Sequence, residues 1–346
     1  MKVKFWLSLL LLGLCAGAMA QVQVGVQIPP QETEKKPSLL KRMDTKMYKS
    51  QHGAKVDTSY IHIPEERWTL KTTTNFSWGT LGIVHLADKE GYRAALRSDP
   101  TISQGFSVAW RWLEVGFSVN PSWFIPRLKN KDQAYSISVF GNKFGLTATF
   151  RSHSSFQGSV LHLPDSTTTI IPRSNDIYDL TGDFDAYYVF RGDKFSFPAA
   201  GNMMQVQKRS AGSAILGLSI RNGYTQYYVP GTINATDVKV ITNILAVGGG
   251  YAHNFVTPHH WLFHVSALAN LSLLSFNQIQ NNTGKYQMTE SFPDWVANLQ
   301  FTALHWSGRW FYGFNASVRG AVYGLQEKME FYNAYTRGYF IVGCRL

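Results

Sequence analysis

Seven charged side chains sit at alternate positions of segments that otherwise read as β-strands: Glu114, Arg151, Asp183, Asp185, Arg221, Arg319 and Arg345. Each shares its parity with small or polar neighbours, as Glu114 does with Gly116 and Ser118, and Arg319 with Asn315 and Ser317. Side chains two residues apart in a strand face the same side. In a narrow enclosed space, opposite charges pair across strands and brace the walls. In a wider one they line an aqueous path and set its selectivity. Bracing is the leading expectation and a selective pore the second. Catalysis ranks last, because it needs a nucleophile, a base and an orienting group at one depth.

His264 and Ser266 are the nearest approach to such a set. They share a face, but strand rise separates them by about 7 Å, too far for direct proton transfer unless the side chains lean together. No G-x-S-x-G elbow accompanies them. His259 and His260 are adjacent, so they point apart, and no third ligand lies at metal spacing; a solvated turn explains them. Gly248-Gly249-Gly250 lacks the Lys-Ser/Thr of a phosphate loop, and in a strand it relieves crowding or allows a bend. Asn234-Ala235-Thr236 and Asn315-Ala316-Ser317 match glycosylation sequons at chance level. No metal, cofactor or catalytic residue is expected.

The elements that must position these residues alternate with period two from Leu70 onward. Trp310, Tyr312, Phe314, Ala316, Val318 and Val322 point one way, and Gly313, Asn315, Ser317 and Arg319 the other. Trp295, Ala297, Leu299, Phe301 and Ala303 alternate likewise with Asn298, Gln300 and Thr302. Twelve strands are expected, near 70–85, 102–110, 113–120, 135–140, 144–151, 183–190, 213–224, 240–254, 261–277, 295–306, 310–323 and 335–346. None has Pro in its interior. Short turns at Arg111-Trp112, Gly141-Asn142-Lys143, Val256 to His260 and Ser307-Gly308-Arg309 alternate with long polar loops at 86–101, 121–134, 152–182, 278–294 and 324–334. All short turns therefore fall at one end. Apolar sets bordered by Trp or Tyr, short turns at one end and long loops at the other describe a transmembrane antiparallel up-and-down β-barrel with periplasmic turns and extracellular loops. Lys194 to Phe197 would make a thirteenth strand, so 191–212 is assigned to a periplasmic or luminal excursion.

The ends fit this reading. Lys2 and Lys4, the apolar run Phe5 to Ala16 and Ala18-Met19-Ala20 form a signal peptide cut after Ala20. Its loss removes Cys15, so Cys344 has no disulfide partner. Residues 21–67, with Pro29, Pro30 and Pro37, make a periplasmic lead-in or partial plug, with a helical turn near Met43 to Tyr48. The barrel then occupies 68–346. Phe340, Val342, Cys344 and Leu346 form the alternating final strand that barrel-insertion machinery reads, although Leu346 replaces the usual aromatic.

Composition narrows the class. Aromatics make 14% of the 346 residues and charged residues only 16%. No apolar run after the signal is long enough for a transmembrane helix. The formal charge of +11 is scattered, with no nucleic-acid motif, and suits attraction to anionic outer-membrane lipid better than nucleic-acid binding. A monomer is favoured.

Several segments also resemble a known family. They are Val56-Asp57-Thr58-Ser59-Tyr60-Ile61 with Pro64 to Trp68, Gly182 to Phe190, Lys194 to Ala200, Gln207 to Ser213 and Gly250 to Phe255. Together they resemble an uncharacterised outer-membrane barrel family of Bacteroidota, catalogued as a domain of unknown function, across most of 55–346. The resemblance implies location and fold and carries no catalytic residues. The expectation is a non-enzymatic outer-membrane barrel with a structural or narrow-pore role. The alternative is a lipid- or acyl-modifying hydrolase.

Overall fold

The computed structural model describes residues 39–52, 56–85, 92–121, 132–163, 165–228, 237–281, 284–288, 294–325 and 329–346. The expected signal peptide, the cut after Ala20, the sequon at Asn234 and most of the 121–134 loop lie outside them. The chain divides into two units, Met1–Met43 and Asp44–Leu346. The described part of the first is the opening of a helix, Leu39–His52. The second holds every described strand.

Period-two alternation produces the strands β1 (Ile61–His62), β2 (Trp68–His85), β3 (Tyr92–Ser98), β4 (Thr101–Trp110), β5 (Leu113–Val119), β6 (Gln133–Phe140), β7 (Phe144–His162), β8 (Thr168–Val189), β9 (Val206–Gln207), β10 (Ala211–Tyr228), β11 (Asp237–Val256), β12 (Trp261–Asn281), β13 (Gly284–Met288), β14 (Trp295–Ser307), β15 (Trp310–Leu325) and β16 (Met329–Arg345). Twelve of them close a barrel: β2, β4 to β8, β10 to β12 and β14 to β16, each antiparallel to its neighbours, with β16 returning onto β2. Backbone bonds between Trp68 and Leu346 run both ways, so the closing strands end together. Among the described residues each of the twelve has a neighbour on both sides, which is why this fold can stand in an apolar medium.

The expected long loops are corrected in part. Strand β7 runs on to His162 and β8 starts at Thr168, so most of 152–182 is a long hairpin. Its inward side chains include the buried Phe156 and Val160 between polar residues such as Ser154, Gln157 and Ser159, so the alternation is irregular. Pro172 therefore lies inside a strand. Its surroundings explain the tolerance: the β7–β8 register shifts between Phe156 and Gly158, and β8 is unpaired with β10 beyond Tyr178. The 86–101 loop contains β3, and the 278–294 loop contains β13.

Strand β3 pairs with β2 on one side and with β7 on the other. It thus passes over β5 and β6, which have only 7 and 8 residues. The wall loses these two strands partway toward the long-loop end.

The outer face carries a belt of exposed apolar side chains, including Phe117, Phe150, Leu299, Phe301, Val318 and Phe340. Trp68, Trp110, Trp261 and Trp310 stand at the short-turn ends of their strands. Inside, small residues let large ones lie flat. A β-carbon at Gly145 would fall into the ring of Tyr187 on the neighbouring strand. In the Gly248–Gly250 run, β-carbons at positions 248 and 250 would strike the carbonyls of Ala269 and Ala267. This run lets β11 and β12 approach closely, the crowding role expected of it.

Candidate functional site

The inward parity of β7, β8, β10 and β15 gathers five of the seven charged candidates into one network. Asp183 receives a hydrogen bond from Arg151 Nη2, with Arg221 Nε and Arg319 Nη2 each 3.5 Å away. Arg221 is its direct cross-strand partner. Arg319 comes from β15, so its side chain crosses the lumen. It grips Asp185 with Nη1 at 2.5 Å and Nη2 at 3.1 Å, while Ser219 donates to the same carboxylate at 2.6 Å. The Asp183 side chain is 1% exposed. Two carboxylates thus hold three guanidinium groups, and charge pairing of this kind offsets the cost of burial. Arg151 also lies over the Tyr335 ring, 4.2 Å from its centroid.

The other two candidates are elsewhere. Glu114 pairs with Lys71 at 2.5 Å. Arg345 stacks on Trp306 at 4.3 Å and donates to the Met203 carbonyl at 2.9 and 3.1 Å. Met203 belongs to the excursion over 191–212, which folds into the barrel rather than out of it. Lys194–Phe197 does not join the wall. Instead Val206 and Gln207 pair with His62 and Ile61, and Pro198–Gly201 forms one helical turn. Phe195, Ala199, Ala200 and Met203 are fully buried, against Ile215, Leu262, Leu304 and Phe311 of the wall. The inner face is apolar here because it meets this plug. That is why Trp310-Phe311-Tyr312 breaks the alternation.

The plug is pinned by polar groups. Gln207 accepts from Ser196 N and Asn254 Nδ2 and donates to the carbonyls of Lys194, Arg209 and Tyr60. Gln205 bridges Ser196 and Asn142, each at 2.6 Å. Below, the Ser59 hydroxyl holds the Asp57 carboxyl under its usual pKa range and shapes the turn into β1.

His264 belongs to this packing. Its Nδ1 meets Asn254 Oδ1 at 2.7 Å, and its ring contacts Phe195 and Phe197 at 6.2 and 5.4 Å. Ser266 is buried at the next inward position. His259 and His260 are exposed in their turn, with His260 at φ 60°.

Sequence reasoning missed four further groups. Lys71 and Arg337 share the inward parity of their strands, so the signal was present. Asp132 and His153 fell in segments assigned to loops. Asp132 accepts from Thr101 Oγ1 at 2.6 Å and Ser154 N at 3.0 Å, and its Oδ2 lies 3.2 Å from His153 Nδ1. It caps the place where β5 and β6 stop. At the long-loop end, Leu81, Leu96, Phe156, Val240, Ile244 and Phe331 turn inward and form an apolar layer.

Between plug and network lies a chamber of about 260 Å³, lined by β2, β4 to β7, β14 and β16, with Phe197 and Gly201 of the plug at its edge. In descending order, an apolar layer, an ionic network, a polar chamber and a plug occupy the lumen.

Among solved structures, the chain is similar to the outer membrane protease OmpT from Escherichia coli, at 7% identity, covering 82% of this chain and 97% of that one, with a TM-score of 0.39. It is also similar to the P. putida toluene transporter TodX, at 6% identity over 82% and 91% of the two chains, TM-score 0.33. The translocator domain of the autotransporter NalP from Neisseria meningitidis matches at 12% identity over 88% and 95%, TM-score 0.31. No curated relative matches the sequence. Residues 55–345 match the family model described as Domain of unknown function (DUF4421), and the chain belongs to that family.

Proposed function

We propose that this chain is a non-enzymatic outer-membrane barrel whose filled lumen makes it a rigid cell-surface scaffold rather than a standing pore. The single observation that carries this reading is Arg319, which reaches across the lumen to Asp183 and Asp185. A guanidinium held by two carboxylates on the far wall obstructs ion flow at mid-barrel, and the plug and apolar layer fill the levels below and above. The exposed apolar belt supports a lipid surround, since contiguous apolar patches on this scale mark membrane or protein contact. Short turns then face the periplasm, after export through the signal peptide, in a Bacteroidota-type cell. Outer-membrane lipid and the insertion machinery that reads β16 are the partners, and the barrel stands as a monomer.

Planar-bilayer recording of the refolded protein tests this. The wild type is expected to be silent. Discrete ion-selective steps in the wild type, abolished by neutralising Arg151 and Arg319, would establish a pore instead.

A further inference from the structure

The chamber below the ionic network exists because one side of the wall is stripped of bulk. Strands β2, β4, β6 and β7 present Thr73, Ser107, Ser136, Ser138, Thr147 and Thr149 to it, while β16, the neighbour of β2, presents Arg337 and Tyr339. None of these six hydroxyls is engaged by another side chain or by backbone among the described residues, and none is sealed from the chamber. Their donors and acceptors are therefore turned toward whatever fills it.

The charges are unequal in their freedom. Lys71 and Glu114 neutralise each other at 2.5 Å. Arg337 has no carboxylate within ion-pair distance among the described residues. Asn75 Oδ1 accepts from its Nη2 at 2.6 Å, and the Tyr339 ring lies 4.9 Å from its guanidinium carbon. These two contacts orient the guanidinium and leave its remaining N–H donors without an acceptor among the described residues. The chamber thus carries one uncompensated positive charge. That favours a monoanion, since a second buried negative charge would go unpaired. A planar carboxylate fits a guanidinium edge through two parallel hydrogen bonds. The volume of about 260 Å³ is just below the range of drug-sized pockets, so it suits a single sugar ring.

We infer that this chamber binds a small hydroxylated carboxylate of sugar-acid size, with Arg337 holding the carboxylate and the Ser/Thr wall holding the hydroxyls. The site is independent of whether the barrel conducts ions.

Calorimetric titration of the full chain, folded in detergent and equilibrated overnight with each probe, tests it. D-glucuronate is expected to bind at least ten-fold more tightly than D-glucose or inorganic phosphate. Arg337→Gln should weaken glucuronate binding at least ten-fold. Ser136→Leu, which fills the chamber without touching a charge, should do the same and guards against a folding defect in the first variant; both are checked for the heat-modifiable band of a closed barrel. Equal binding of glucuronate and glucose, phosphate binding as tight as glucuronate, no glucuronate binding, or binding that survives in both folded variants would each overturn the assignment.

Discussion

Asp183 and Asp185 are two residues apart on one strand, yet their surroundings give them different weight. The Asp183 side chain is 1% exposed and the Asp185 side chain 31%. Removing one partner of a buried ion pair costs about 3–5 kcal/mol, because the other charge is left without compensation. Asp183→Ala removes the buried carboxylate that Arg151, Arg221 and Arg319 share, with Asp185 still holding Arg319, and is expected in that range, measured by urea unfolding in liposomes. Asp185→Asn keeps the shape and the Ser219 contact and should cost about 1 kcal/mol, nearer to an exposed pair. Equal losses would contradict the graded network. Asp132 acts by hydrogen bonds: Asp132→Ala takes the carboxylate acceptor from Ser154 N and leaves Thr101 Oγ1 only the longer contact to the Asp99 carbonyl at 3.3 Å, and should cost about 1–3 kcal/mol. Amide exchange checks its location, with β5 and β6 losing protection before β10 and β11. Parity alone placed Asp183 and Arg319 on the inner face. That they meet, and that Arg345 instead holds Met203, follows from where β15 and β16 lie around the barrel, which no local pattern encodes.

At the scale of elements, the plug and the strand junction are the two departures from a simple barrel. Lys194–Phe197 alternates like a strand, but an even wall has no place for it, and Pro198 stops extension. Burial of Phe195 and Met203 against Ile215, Leu262 and Phe311 stabilises it inside by about 1.5–3 kcal/mol per large side chain. Phe195→Ala should therefore cost about 3–5 kcal/mol. Protease added from the short-turn end should then cut within 190–210 in the variant and leave the wild type intact; equal resistance would mean the plug is held by polar groups alone. The junction was less legible. The strands β5 and β6 were visible from their alternation, but β3 was hidden in a polar segment. Its pairing with β7 is a contact between residues about sixty positions apart in sequence.

For the whole molecule, adjacent residues on β15 have opposite fates. Val318 is 40% exposed on the outer belt, while Arg319 crosses the lumen. Val318→Arg sets a charge into the lipid surround near mid-strand and should destabilise the barrel by about 2–4 kcal/mol in bilayers. The same variant in water-rich mixed micelles should lose much less. A full loss in both would mean that the outer face is buried against protein rather than lipid.

Whatever repeats locally was legible in the chain of residues: twelve strands, which side of each faces in, the short turns gathered at one end, and the charges that share the inner face. Period two is a property of a single strand, so it survives without knowledge of the partner. The contents of the lumen were settled only by the closed barrel. The cross-lumen reach of Arg319 and the chamber before Arg337 each join residues from strands brought together only when the barrel closes, while the plug and the Asp132 cap join side chains that no single-strand pattern pairs. Closure sets the bore, and the bore decides whether inward charges meet, as at Asp183, or stand apart, as at Arg337.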